Sequence, residues 1–118
     1  MTRFLAWAGM MAHQGGDAVT SAGLLAQALH LATQRRDRHW IVVVSLALLG
    51  LPEGTPGRPA IVPPLPALLD VCREAREPVL ESWVLARLAW SEIRAGRIPS
   101  GVRWSVEGLG VARRTGAL

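Results

Sequence analysis

Three histidines, one cysteine and a scatter of carboxylates are the side chains here with reactive chemistry to offer, and their spacing decides what they can do. His13, His30 and His39 include no pair four residues apart, the helical spacing of a zinc site, and no cysteine pair joins them. Cys72 lies in LLDVCREARE, where its nearest basic neighbours are arginines and no histidine stands near to serve as a base. A catalytic thiol needs such a base and a depressed pKa, so Cys72 reads as a small buried core residue. As the single cysteine, it also excludes an internal disulfide. The chain has no lysine, which removes the phosphate-binding loop that ends in Lys-Ser/Thr. The glycines at 101, 108 and 110 follow no strand, so they are not a dinucleotide fingerprint. There is no Gly-x-Ser-x-Gly elbow, and the acidic residues stand singly. The expectation is a protein that is not an enzyme, with no catalytic residue, metal or cofactor.

Binding chemistry remains. All thirteen basic residues are arginine, and the formal net charge is +4. Arg35, Arg36 and Arg38, like Arg113 and Arg114, fall where predicted helices end, and cations there favour the helix dipole. The arginines run from Arg3 to Arg114 without clustering, whereas a phosphate-binding surface needs a patch. The final helix, with Arg103, Glu107, Arg113 and Arg114, is a poor recognition helix. A small basic DNA-binding regulator is therefore the alternative reading, and direct nucleic-acid binding is the less expected one.

The composition describes one soluble core. Half of the 118 residues are hydrophobic and 19% are charged, which excludes a disordered chain and suits a single domain. Lysine, asparagine and tyrosine are absent, a bias that points to high-GC coding and a bacterial source, and that discounts the high pI. The longest apolar run, 40–51, is well short of the ~20 residues that span a bilayer, so it reads as a buried helix and no membrane association is expected. The N-terminal run 2–12 is faintly like a signal peptide. It coincides with a helix that has a counterpart deep in the chain, and the expectation is a cytoplasmic protein.

Apolar positions at helical spacing predict a first helix from Thr2 to about Gln14, with Phe4, Leu5, Ala8, Met11 and Ala12 as its apolar set. A glycine break at 15–16 precedes a second helix, about 19–36, with Leu24, Leu25, Ala28, Leu29, Leu31 and Ala32 as its buried stripe. Helices follow at 38–49, 65–77, 79–95 and from about 99 to 115. The β-branched run 41–44 favours a strand, but no partner strand exists, so helix is the better reading. The segment 51–64 holds five of the eight prolines and reads as an insertion loop. Residues 5–37 overlay the segment from Leu85 onward without a gap: Gly16 falls on Gly96, Leu29 on Leu109, Leu31 on Val111 and Ala32 on Ala112. Midway, Leu69, Val71 and Cys72 repeat Leu29, Leu31 and Ala32. A period of about 40 residues with internal glycine breaks predicts stacked antiparallel helical hairpins. The expected fold is all-α: six helices in one domain, 1–118, with hairpins at about 2–36, 38–77 and 78–116.

These units resemble tetratricopeptide repeats, in particular the degenerate ones of large bacterial transcriptional regulators of the LuxR/MalT and SARP types. The resemblance rests on Leu85, Leu88, Ala89, Gly96, Gly101, Gly108, Leu109 and Val111 in the last hairpin. In the first it rests on Leu5, Ala8, Gly9, Gly16, Ser21, Ala28, Leu29 and Leu31. It covers about two thirds of the chain. Ala12 and Glu92 stand where the family commonly has tyrosine, and Leu68 where it has a small residue. The resemblance implies a noncatalytic scaffold for a protein or peptide, as the sensor or effector module of a regulator. It implies a groove lined by the first helix of each hairpin, with Ala6, Met10, His13 and Gln14 in the first and Trp83, Ala86, Trp90, Ile93 and Arg94 in the last. Trp90 and Arg94, one turn apart, are of the types that dominate binding hot spots. The competing reading is that Trp83 and Trp90 pack between hairpins, as Trp104 is expected to. Because arrays need polar caps, the expectation is either a homodimer through the terminal helices or a piece of a longer regulator, and a self-associating structural module is a further alternative.

Overall fold

The computed structural model describes residues 1–52, 54–59 and 62–116, and among these it forms six α-helices and no strand. They are α1 (Thr2–Gln14), α2 (Ala18–Gln34), α3 (Arg38–Leu49), α4 (Leu65–Ala75), α5 (Pro78–Arg94) and α6 (Ile98–Arg114). The fold is all-α. The chain forms two compact units, Met1–Pro63 and Pro64–Leu118, so the hairpin expected over 38–77 takes one helix from each. The β-branched run 41–44 is helical, with Val42 and Val44 buried. Of the 51–64 insertion, Glu53, Ala60 and Ile61 lie outside the described residues.

The repeat is written into the backbone. The helices α2 and α6 begin and end eighty positions apart. Gly16 and Gly96, between the helices of each hairpin, share a φ of +84°, a left-handed conformation that glycine adopts at no steric cost. The same hydrogen bond closes both turns: Asp17 N–H donates to Ala12 O and Arg97 N–H to Glu92 O, each at 2.9 Å. The turns that leave second helices are equally alike. Arg36, Arg76 and Gly116 have φ of 53°, 54° and 72°, and Asp37 N–H to Ala32 O matches Glu77 N–H to Cys72 O at 2.9 Å. Helix starts differ in their caps. Asp17 caps α2 by accepting from the Thr20 N–H at 3.0 Å, and Asp37 caps α3 by accepting from Trp40 N–H at 3.3 Å. Prolines occupy the first turns of α4, α5 and α6, where a missing N–H costs nothing.

In the first unit, α3 packs on the hairpin α1–α2. Ala6, Ala22, Leu25, Ala28 and Leu29 form a buried floor under Val44, Leu48 and Leu51, and Val62 from the insertion packs against the same cluster. Gly9 makes the α1–α2 approach possible: a Cβ there would lie 2.8 Å from Leu25 Cγ and 3.3 Å from Ser21 O. In the second unit, α5 packs on both α4 and α6. Its core comprises Leu68, Leu69 and Cys72 of α4, Leu80, Val84, Leu85 and Leu88 of α5, and Val111 of α6. Each fully buried Leu or Val stabilises its unit by about 1.5–3 kcal/mol relative to exposure.

The apolar positions that mark α1 as a helix are not the ones it buries. The residues it buries are Thr2, Ala6 and Gly9. Phe4 and Met11, read as part of its apolar set, are instead 64% and 48% exposed. Small residues won the inner face because α1 and α2 approach too closely there for large side chains, leaving the bulky ones outside.

Candidate functional site

An open apolar groove of about 440 Å³ runs along α5 and α6 on one face of the second unit. Trp83, Trp90 and Ile93 of α5 form one wall, and Ser105, Leu109 and Ala112 of α6 the other. Ala86, Ala89 and Gly108 form its base. Helix geometry explains the arrangement. Positions 83, 86, 90 and 93 fall on one side of α5, while the buried line Leu80, Val84 and Leu88 falls on another. Gly108 lets α6 lie against α5, since a Cβ there would sit 3.2 Å from Leu85 Cβ.

Bulky apolar groups remain in the open. Trp83 is 53% exposed, Trp90 59% and Leu109 42%. Polar groups are few and lie at the margins. Ser82 donates its hydroxyl to Val79 O at 2.6 Å. At the α5–α6 turn Arg97 donates to the Glu92 carboxylate, and this contact, more than any other, holds the Glu92 pKa below the usual carboxylate range. On the far side of α5, Arg73 of α4 pairs with Glu81 at 3.3 Å and with Glu107 of α6. These exposed pairs orient helices and contribute little stability.

Of the residues expected to line a groove, Trp83, Ala86, Trp90 and Ile93 come together here. Arg94 is exposed at the end of α5, outside the lining. The other expected set belongs to the first unit. Ala6 is fully buried and Met10 packs against the core under α3, so neither faces an open groove there. His13 and Gln14 are exposed at the end of α1. Trp104 is half-buried. Trp40 is half-buried too, with the Arg3 guanidinium 5.9 Å from its ring and His39 edge-on at 5.5 Å. The α6 wall (Ser105, Leu109, Ala112) was not foreseen. Its signal was present in the eighty-residue overlay, which puts Ser105 where the first hairpin has the core residue Leu25.

Cys72 is buried, and burial first, then the Glu81 and Glu77 carboxylates, push its pKa up to about 11. A thiol held protonated is no nucleophile at neutral pH. Among the described residues no cluster of His, Cys, Asp or Glu could hold a metal ion, and no helix is long and apolar enough to cross a membrane. Compared with protein-family models, with characterised proteins and with solved structures, the chain matches none.

Proposed function

We propose that this protein is a noncatalytic binding scaffold, and that the α5–α6 groove takes an apolar α-helix of a protein or peptide partner. One observation carries the reading: the first unit holds such a helix in the equivalent place. Ala86, Gly108, Leu109 and Ala112 occupy the positions, eighty residues on, of Ala6, Ala28, Leu29 and Ala32. Those four are 0%, 0%, 8% and 0% exposed in the first unit, which packs α3 over that hairpin. The groove is also apolar, open and lined by two tryptophans, which suits the helix-in-groove mode of recognition. The sequence resemblance to repeats of bacterial regulators favours a sensor or effector role for such a scaffold.

The test uses the helix already known to fit the equivalent seat. A solubilised peptide of the α3 sequence, Arg38–Leu49, is titrated into the protein while the indole N–H resonances are followed by NMR. The resonances of Trp83 and Trp90 shift, and Trp90→Ala weakens binding at least about tenfold, the loss of one hot-spot residue. A peptide that leaves both indoles unmoved contradicts the reading. Arg94→Ala separates the groove proper from its rim: at the rim, its loss costs little.

A further inference from the structure

The three first helices of the repeat, α1, α3 and α5, present one face in three different situations. On α3 this face consists of Ile41, Val44, Ala47, Leu48 and, just beyond the helix, Leu51, all packed into the core over the α1–α2 hairpin. On α5 the same register brings Val84 and Leu88, both buried in a unit where α5 packs on α4. Forty positions before the α3 set lie Met1, Phe4, Trp7, Ala8 and Met11. Here the face is bare: Met1 is 72% exposed, Phe4 64%, Trp7 61% and Met11 48%. The chain thus carries an unoccupied seat on α5–α6 and, on α1, an uncovered face in the register that fills such a seat.

We propose that the occupant of the α5–α6 groove is α1 of a second copy of this chain, docked as α3 docks on α1–α2. This inference rests on the helix-binding reading of the groove and names its partner. Phe4 takes the part of Val44, Trp7 that of Ala47, and Met11 that of Leu51. Along the α6 side of the seat Ser105 replaces Leu25 and Gly108 replaces Ala28, so that side offers smaller groups to the larger side chains of α1. The contact joins different surfaces of the two copies, so each copy keeps one seat and one helix unused. Such a heterologous interface builds open chains or rings rather than a closed two-fold dimer.

Two charge substitutions at exposed positions test it, each checked for unchanged helix content by circular dichroism. Trp7→Glu removes the docking face and keeps the groove, whereas Leu109→Glu spoils the groove and keeps the face. By light scattering, the wild-type mass rises with concentration past that of two copies, while each variant alone stays at the 12.7 kDa of one chain. Mixed together, the two variants form a 1:1 complex that grows no further. Two variants that remain monomers when mixed, or either one that associates alone as the wild type does, overturn the proposal. The α3 peptide separates the two readings. If it binds Trp7→Glu but not Leu109→Glu while the mixture stays monomeric, the groove is a helix seat for some other partner. If it binds neither, the helix-binding reading falls as well.

Discussion

Gly101 of α6 stands against the backbone of Ala89 on α5: a Cβ at 101 would lie 3.0 Å from the Ala89 carbonyl oxygen and 2.5 Å from Ile93 Cγ1. The first hairpin solves the same crossing the other way round, with the glycine on its first helix, Gly9, opposite Ser21. Both solutions bring the two helices of a hairpin close together. In the second unit the crossing also bears on the groove, because Ala89 lies in its base and Ile93 in one wall.

Gly101→Ala therefore forces α5 and α6 apart. It destabilises the protein by about 1–3 kcal/mol, the cost of overpacking a tight contact. Gly23 provides the contrast. It lies within α2, and a Cβ there meets nothing within 4 Å. Gly23→Ala stabilises by about 0.5–1 kcal/mol through helix propensity alone. Paired denaturant titrations measure both signs, and equal effects would contradict the close approach at 101.

Arg76 caps α4 in a left-handed conformation, φ 54° and ψ 53°, that costs a residue with a Cβ about 1 kcal/mol or more. The repeat itself supplies the remedy, since Gly116 holds the corresponding place after α6. Arg76→Gly raises stability by about 0.5–1 kcal/mol. A lower melting temperature for this variant would show that the Arg76 side chain contributes more than its backbone costs.

Cys72 makes the protein sensitive to alkali. Its pKa in the folded chain, about 11, lies above the ordinary 9.0, so the folded state holds the thiol proton more tightly than the unfolded state does. The resulting stability is fully present below pH 9 and is lost as the pH rises through 11. Denaturation midpoints should fall across that window for the wild type and fall less for Cys72→Ala. A thiol reagent at pH 8 should modify Cys72 only once the chain is unfolded, and rapid modification of the native protein would contradict its burial.

The sequence made the architecture legible because two signals agreed. Apolar spacing placed α1 and α3 at their observed bounds, and the glycine at 16 marked a turn that its partner at 96 repeats. The groove was legible only by half. The resemblance to tetratricopeptide repeats put Trp83, Trp90 and Ile93 in a groove, but it put Ala6 and Met10 in one on the same footing. Position in the repeat made them equivalent, and what covers them made them different: the first hairpin carries α3, whereas the groove between α5 and α6 is open. Packing of a third element is a long-range fact that neither periodicity nor composition encodes. Phe4 and Met11 marked the helix but not its buried side, since a helix with apolar groups on two sides does not announce which side its neighbour covers.

The most direct test of the groove as a helix seat is to catch its occupant. A photoreactive benzophenone amino acid is placed at Ser105, an exposed wall position whose counterpart in the first hairpin, Leu25, is buried in the core on which α3 packs. After irradiation of the concentrated protein, the adduct is mapped by mass spectrometry. The expected product is a cross-linked pair of chains with the bond inside α1, Thr2–Gln14, of the second copy, and it disappears in Trp7→Glu. No cross-link between chains, or an adduct that maps to a segment other than α1, would contradict it.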